Sequence, residues 1–206
     1  MFFVCILFSV ISLNAQISQH GLILTSGLGS VNAQSDKWSL AWDEIEYKFG
    51  LSAGYRLRFN IPAPNSFHYD MDVKVGSSIL MTMCNQQFDT GVDGLWGYFG
   101  QGSYWLNSNI SIGGTASYTF FKNFSAGLGI EPSYYFRPSG GYMKNENKFD
   151  IPIAAKIACN LKGAEIGIYG KYGLMNVLEA EHVKSGKIRE IQLSVFIPFY
   201  SSHRKN

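Results

Sequence analysis

The chain has 206 residues, 17 Lys and Arg against 15 Asp and Glu, and a formal net charge of +2. Charged residues make up 16% and aromatics 15%, a mix that excludes a disordered chain, and the near-neutral balance excludes a basic nucleic-acid-binding face. One domain suits this length, and beyond the N-terminus no apolar run approaches the roughly 20 residues of a membrane-spanning helix.

The first element reads as an export signal. Met1 to Leu13 (MFFVCILFSVISL) is uncharged and almost wholly apolar, and Asn14-Ala15-Gln16 follows. An apolar core ending at a small residue predicts a secretory signal over 1–15, cleaved after Ala15. It departs from the ideal pattern in having no Lys or Arg before the core, and Leu13 where a small residue is usual. Cleavage leaves Cys84 and Cys159, which the topology below puts at opposite ends, so no disulfide is expected. There is no C-x-x-C and no Cys/His cluster, so no metal or cofactor is expected.

The rest of the chain alternates with period 2, the signature of strands with two unlike faces. Residues 18–32 are Gly-rich and open the series. In 45–60, Tyr47, Phe49, Leu51, Ala53, Tyr55, Leu57 and Phe59 oppose Lys48, Ser52, Arg56 and Arg58. In 66–83, Phe67, Tyr69, Met71, Val73, Val75 and Ile79 oppose His68, Asp70, Asp72 and Lys74. In 103–120, Tyr104, Leu106, Ile110, Ile112, Ala116, Tyr118 and Phe120 oppose Asn107, Asn109, Ser111, Thr115 and Thr119. In 124–138, even positions from Phe124 to Phe136 are apolar and odd ones, including Glu131, are small or polar. In 147–161, Phe149, Ile151, Ile153, Ala155, Ile157, Cys159 and Leu161 oppose Lys148, Asp150, Lys156 and Asn160. In 164–177, Ala164, Ile166, Ile168, Tyr172 and Leu174 oppose Glu165, Tyr169 and Lys171. In 187–200, Ile191, Leu193, Val195, Ile197 and Phe199 oppose Glu190, Gln192 and Ser194.

Connection lengths select the architecture. Gaps 33–44, 84–102, 139–146 and 178–186 are long, while 61–65, 121–123 and 162–163 are short. Long and short alternate, so short turns gather at one end and long loops at the other, as in transmembrane β-barrels. Leu161 and Ala164 flank the two-residue turn Lys162-Gly163 and share a face, as such a turn requires. Phe120 and Phe124 share a face across the three residues 121–123, where Asn123 is expected to take the left-handed conformation. The fold class is therefore all-β: an eight-stranded antiparallel up-and-down transmembrane barrel over 16–200, with a tail at 201–206.

Strands this long, with aromatics near the ends of their apolar faces (Tyr47, Phe59, Phe67, Tyr104, Phe120, Phe124, Tyr134, Phe136), favour an apolar face turned to lipid. Charges then point into a barrel that side chains just fill, and must be paired there. Lys48, Arg56, Arg58, Lys74, Arg137, Lys156 and Lys171 are the cations, and Asp70, Asp72, Glu131, Asp150, Glu165 and Glu190 the anions. Pro132, Pro152 and Pro198 lie inside strands, where they remove ladder donors, and are expected at strand ends or bulges.

Taken together, 16–200 resembles the small outer-membrane β-barrel proteins of the OmpA/OmpX type, and most closely the PorT-like outer-membrane barrel domain family. The features are Asn14-Ala15-Gln16, Gly-punctuated strands and the apolar final strand Ile191 to Tyr200. The chain departs from the family in continuing past Phe199-Tyr200 with Ser201 to Asn206. The resemblance implies a Gram-negative outer-membrane address, contact with its lipid and lipopolysaccharide, and insertion by the barrel-assembly machinery.

Chemical motifs are sparse. Asp89-Thr90-Gly91 spells an aspartic-protease triplet but occurs once, and that chemistry needs a pair. Asp89 to Gly94 hints at a calcium loop, but position 3 is Gly91 and position 12 is Gly100. Ser185, His182 and Glu179 or Glu181 share one loop, as a lipid-modifying hydrolase or acyltransferase would need. His68 and His20 are expected in hydrogen bonds near the short turns, and His203 in the tail. The segment 84–105 carries Leu95, Trp96, Tyr98, Phe99 and Trp105, either a partner surface at the outer loop 84–102 or strands extended past the membrane. No catalytic residue is assigned, and no nucleic-acid partner is expected. The favoured function is a structural or interaction barrel, an anchor or an accessory to secretion or assembly. A narrow pore or small-ligand barrel, an outer-membrane lipid-modifying enzyme and a soluble lipocalin-like barrel are the alternatives.

Overall fold

The structure is a computed structural model describing residues 16–35, 41–61, 66–89, 96–136, 147–180 and 183–201, with side chains described over 18–32, 45–61, 66–81, 102–136, 147–178 and 186–199. The expected signal (1–15), Arg137, Thr90 to Asp93, His182 and His203 lie outside the described residues, as do the side chains of Cys84, Asp89, Glu179 and Ser185.

All regular structure in the described residues is strand. The elements are β1 (Gln16–Ser35), β2 (Ala41–Asn60), β3 (Phe67–Asp89), β4 (Trp96–Phe121), β5 (Phe124–Ile130), β6 (Ser133–Tyr135), β7 (Phe149–Asp150), β8 (Ile153–Leu161), β9 (Ala164–Tyr172), β10 (Leu178–Ala180) and β11 (Val183–Ser201). Every pairing is antiparallel. The ladder runs β1–β2–β3–β4–β5–β8–β9–β11, and β11 pairs with β1.

Eleven elements stand where eight were expected, because three long runs are interrupted. Two breaks coincide with prolines: Glu131-Pro132 between β5 and β6, and Ile151-Pro152 between β7 and β8. Proline lacks the N–H a ladder needs, but its carbonyl still accepts. Ile112 N–H donates to Pro132 O at 2.9 Å, and Glu131 N–H to Pro152 O at 2.9 Å. The runs therefore continue in direction and in which face they bury. Pro198 sits by the register shift between His20 and Gly21 in the β1–β11 ladder.

The third break, 173–177, is organised by Asp150. Its Oδ1 accepts the backbone N–H groups of Ile151, Leu174 and Met175 at 2.8, 3.1 and 2.9 Å. Asp150 was expected to pair with a lysine or arginine, and instead it holds backbone. Asp150→Ala is expected to lower the unfolding free energy by about 2–4 kcal/mol, because buried donors lose a charged acceptor. Urea unfolding of the refolded protein measures this; a change under ~0.5 kcal/mol would show that the break holds itself without Asp150.

Three expected loops prove to be largely strand. β1 runs to Ser35 and β2 begins at Ala41; β10 and β11 pair Leu178 with Gly186 and Ala180 with Val183. The segment 84–102 is mostly ladder, in unbroken register from Phe67↔Tyr118 to Asp89↔Trp96. Within it Gly97, Gly100 and Gly102 stand opposite Phe88, Asn85 and Met83. Ser201, expected in the tail, pairs with Gln19.

The turns divide likewise. Leu161 pairs with Ala164 as expected, and Gly163 takes φ 91°, which residues with side chains rarely adopt. At the other turn Phe121 pairs with Phe124, so the link is the two residues Lys122-Asn123 rather than three. A register shift between Thr119 and Phe121 absorbs the extra residue, and Asn123 has no positive φ.

The period-2 alternation becomes an inverted distribution. Arg56, Arg58, Asp70, Asp72, Lys74, Glu131, Lys156, Glu165 and Glu190 are buried, while Leu51, Val75, Ile112, Leu128, Ile157, Ile168, Ile191 and Leu193 are more than half exposed. Near the end opposite the short turns the buried face is apolar: Ile45, Tyr47, Leu80, Trp105, Tyr135, Val177, Leu178 and Ile188 pack together.

Tyr47 was expected outside with Phe49, and Lys48 inside. A bulge between Tyr47 and Phe49 reverses both. Lys48 is exposed and pairs with Glu46, two residues away. Tyr47 is buried over Gly29, where a Cβ would stand 2.9 Å from its Cγ, so small residues on β1 leave room for the ring.

Candidate functional site

Apart from Asp150, the buried charges fall into two layers. The layer nearer the short turns begins with cross-strand pairs. β2 and β3 set Arg56 opposite Asp72 and Arg58 opposite Asp70. Both pairs are bidentate. Arg56 Nε and Nη2 donate to Asp72 Oδ1 and Oδ2 at 2.7 and 2.8 Å; Arg58 Nε and Nη2 donate to Asp70 Oδ1 and Oδ2 at 2.6 and 2.9 Å. Fork-to-carboxylate geometry makes these the stronger kind of ion pair.

Two strands on the far side of the ladder complete this layer. Glu165 of β9 accepts from Arg56 Nη1 at 2.9 Å and Arg58 Nη2 at 2.6 Å. Lys156 of β8 donates to Asp70 Oδ2 at 2.5 Å and Glu165 Oε1 at 3.2 Å. Phe196 of β11 lies against both guanidinium groups, 5.3 Å from Arg56 and 5.2 Å from Arg58. Three cations thus meet three carboxylates.

The second layer is centred on Glu131, in the proline break. Lys74 Nζ donates to Glu131 Oε2 at 2.6 Å, and the Tyr169 hydroxyl to the same oxygen at 2.9 Å. Lys171 lies between Glu131, at 3.4 Å, and Glu190. Glu190 also accepts from Tyr47 OH at 2.8 Å and Gln192 Nε2 at 2.7 Å. Two cations meet two carboxylates. Each layer is neutral by itself, which is how buried charges escape the cost of isolation.

The two histidines differ. His20 faces outward, and its Nδ1 shares a 2.5 Å hydrogen bond with Tyr55 OH. His68 is buried; its Nε2 has no hydrogen-bond partner and lies 3.9 Å from Asp70 Oδ2. No group of three or more metal-ligating side chains occurs among the described residues. His182 lies outside the described residues, and the backbone of Ser185 pairs with Gln34. Cys159 is a free thiol near the short turns, across from Phe124, while Cys84 pairs with Asp43 and Gln101 at the other end.

Most members of both layers stood among the charged positions read from sequence. Phe196, Tyr169 and Tyr47 as partners were not foreseen. The first two carried a signal: each is a bulky residue at a polar-face position, where it can serve as a plate for cations or a hydroxyl for a carboxylate. No family model matches the chain, and no curated protein matches it.

Proposed function

We propose that the chain is a closed eight-stranded β-barrel in the outer membrane, with a filled interior that does not conduct, acting as a structural or interaction barrel. In this role it anchors a surface at the membrane or serves a secretion or assembly system. The observation that carries the reading is the inversion: neutralised charges inside and continuous apolar side chains outside. A soluble protein rarely exposes an apolar surface on that scale. Lipid makes such a surface favourable and requires every backbone group to be paired within the protein. The β1–β11 pairing gives each long run two neighbours, as closure requires.

Aromatic placement supports the same reading. Exposed Phe67, Tyr118, Phe120, Phe124 and Phe199 lie toward the short turns, and exposed Tyr104, Tyr134, Phe136, Phe149 and Tyr172 toward the other end. Aliphatic side chains occupy the height between them, the order expected of two interfacial girdles around a hydrocarbon band. The strands β1 to β4, of 20, 20, 23 and 26 residues, exceed what a span needs. Inside, two neutral charged layers and the apolar cluster around Leu80 and Trp105 occupy successive heights, which favours an anchor over a pore.

The test is gel mobility of the envelope fraction in SDS, boiled against unboiled. The expected result is a protein that sediments with the outer membrane and shifts on boiling. A protein recovered without detergent, with no shift, would instead be a soluble binding barrel.

A further inference from the structure

The outward apolar face is not evenly filled. Across β8, β9, β11 and β1 it is hollowed into a groove of about 850 Å³, walled by Leu28, Ile153, Ala155, Gly170, Ile191 and Leu193. The register accounts for the hollow. Leu28, Ile191, Gly170 and Ala155 form one row across the four strands, between a row containing Tyr172 and Ile153 and a row containing Ile168 and Ile157. Gly170 and Ala155 carry little or no side chain, so the middle of their row is low. A Cβ built on Gly170 would meet nothing nearer than the Ala155 carbonyl oxygen, at 4.0 Å. Lys171 and Glu190 also border the groove, but their side chains are engaged with each other inside.

One end of the groove is cationic. Arg189 lines it there, in register with Tyr172 and Ser30. Its guanidinium carbon lies 4.8 Å from the centre of the Tyr172 ring, and Nη2 donates to the Tyr172 hydroxyl at 3.3 Å. Neither contact is with a carboxylate. Lys187 is the next outward position on β11, and among the described residues neither cation has an ion pair. The outward positions of β8, β9, β11 and β1 whose side chains are described include no Asp or Glu. Elsewhere the protein answers its cations: Arg56, Arg58, Lys74, Lys156 and Lys171 each meet a carboxylate, and outward Lys48 meets Glu46. Arg189 stands level with Tyr172, in the aromatic row away from the short turns, where a charge on the lipid face is tolerated.

We propose that this groove holds one lipid with an anionic phosphate headgroup, its phosphate on Arg189 beside Lys187 and one acyl chain lying over Gly170 and Ala155. The assignment rests on the membrane reading and adds a specific lipid site to it. Charge complementarity selects the headgroup, since two outward cations share one end of the groove with no anion of the protein. Length suits the tail: Arg189 to Leu193 covers about 13 Å of strand, against roughly 15 Å for half of a hydrocarbon core. A second copy of the chain fits less well, because a symmetric contact through this patch would bring another Arg189 and Lys187 to it.

The experiment counts bound lipid by native mass spectrometry. The full-length protein is refolded in phosphatidylcholine vesicles with a rising fraction of phosphatidylglycerol and extracted in mild detergent. Phosphatidylcholine carries the same phosphate neutralised by its own ammonium group, and is the headgroup control. The expected result is retention of phosphatidylglycerol over phosphatidylcholine, saturating at one per chain. Arg189→Gln is expected to weaken retention about five- to tenfold, as loss of one cation at a lipid surface does. Gly170→Leu keeps the charge and fills the floor of the groove without a clash, and is also expected to weaken retention, which attraction between charges would not do. Lys122→Gln, on the exposed turn at the other end, should leave it unchanged. The boiling-dependent gel shift confirms that each variant folds. A heat-modifiable barrel that retains both lipids equally, or that keeps its phosphatidylglycerol after either groove substitution, overturns the proposal and leaves the membrane reading standing. A protein recovered without detergent and without a shift overturns both.

Discussion

Glu165→Gln is expected to lower the unfolding free energy by about 3–5 kcal/mol, as breaking a buried ion pair on one side does. The substitution keeps the shape of the side chain and removes its charge. Arg56, Arg58 and Lys156 then face only Asp70 and Asp72, and one buried positive charge is left without a counterion. Removing that excess cation should restore part of the loss. The Glu165→Gln/Lys156→Met double variant has two arginines against two aspartates, and is expected to be more stable than additivity allows by ~0.5–3 kcal/mol. A double-mutant cycle by urea unfolding in lipid vesicles measures both numbers. Strict additivity would mean that the cations act independently and that the layer is not one network.

This coupling is also where the sequence stops being readable. Arg56 to Asp72 spans 16 residues and is a neighbouring-strand pair, recoverable once register is known. Arg56 to Glu165 spans 109 and Lys156 to Asp70 spans 86; both cross the interior. Alternation says which residues point inward but not which meet there, because contact across an interior depends on strand stagger and side-chain length. Local irregularity limits the reading in a second way. One bulge near Lys48 reversed both Tyr47 and Lys48, since a single inserted residue flips every position on one side of it. Strand ends were underestimated for a third reason: residues 84–89 and 96–102 are strand only as partners in one ladder, and pairing is invisible along one strand. The faces of β3 over 67–81, and those of β8 and β9, were legible, since no bulge interrupts them.

The second large effect separates a lipid-facing surface from one that faces water. Ile168 is 61% exposed at the middle of β9, paired with Ile157 and Leu193, themselves exposed. If this surface faces water, Ile168→Arg removes an exposed apolar group and should change stability by no more than ~0.5 kcal/mol. If it faces lipid at mid-height, the same change should cost about 2–4 kcal/mol. We expect the larger loss, read as a fall in the urea midpoint in vesicles and in the yield of heat-modifiable protein. Arginine at Phe121 is the control, since that side chain is 69% exposed beside the short β4–β5 turn, where an interfacial position tolerates charge. The contrast matters because a substitution that merely disturbed the strand would act at both positions. Equal, small effects would place the apolar face in water and leave the charged interior as the core of a soluble protein. A large effect at Ile168 with a small one at Phe121 would locate the hydrocarbon band between the two aromatic rows.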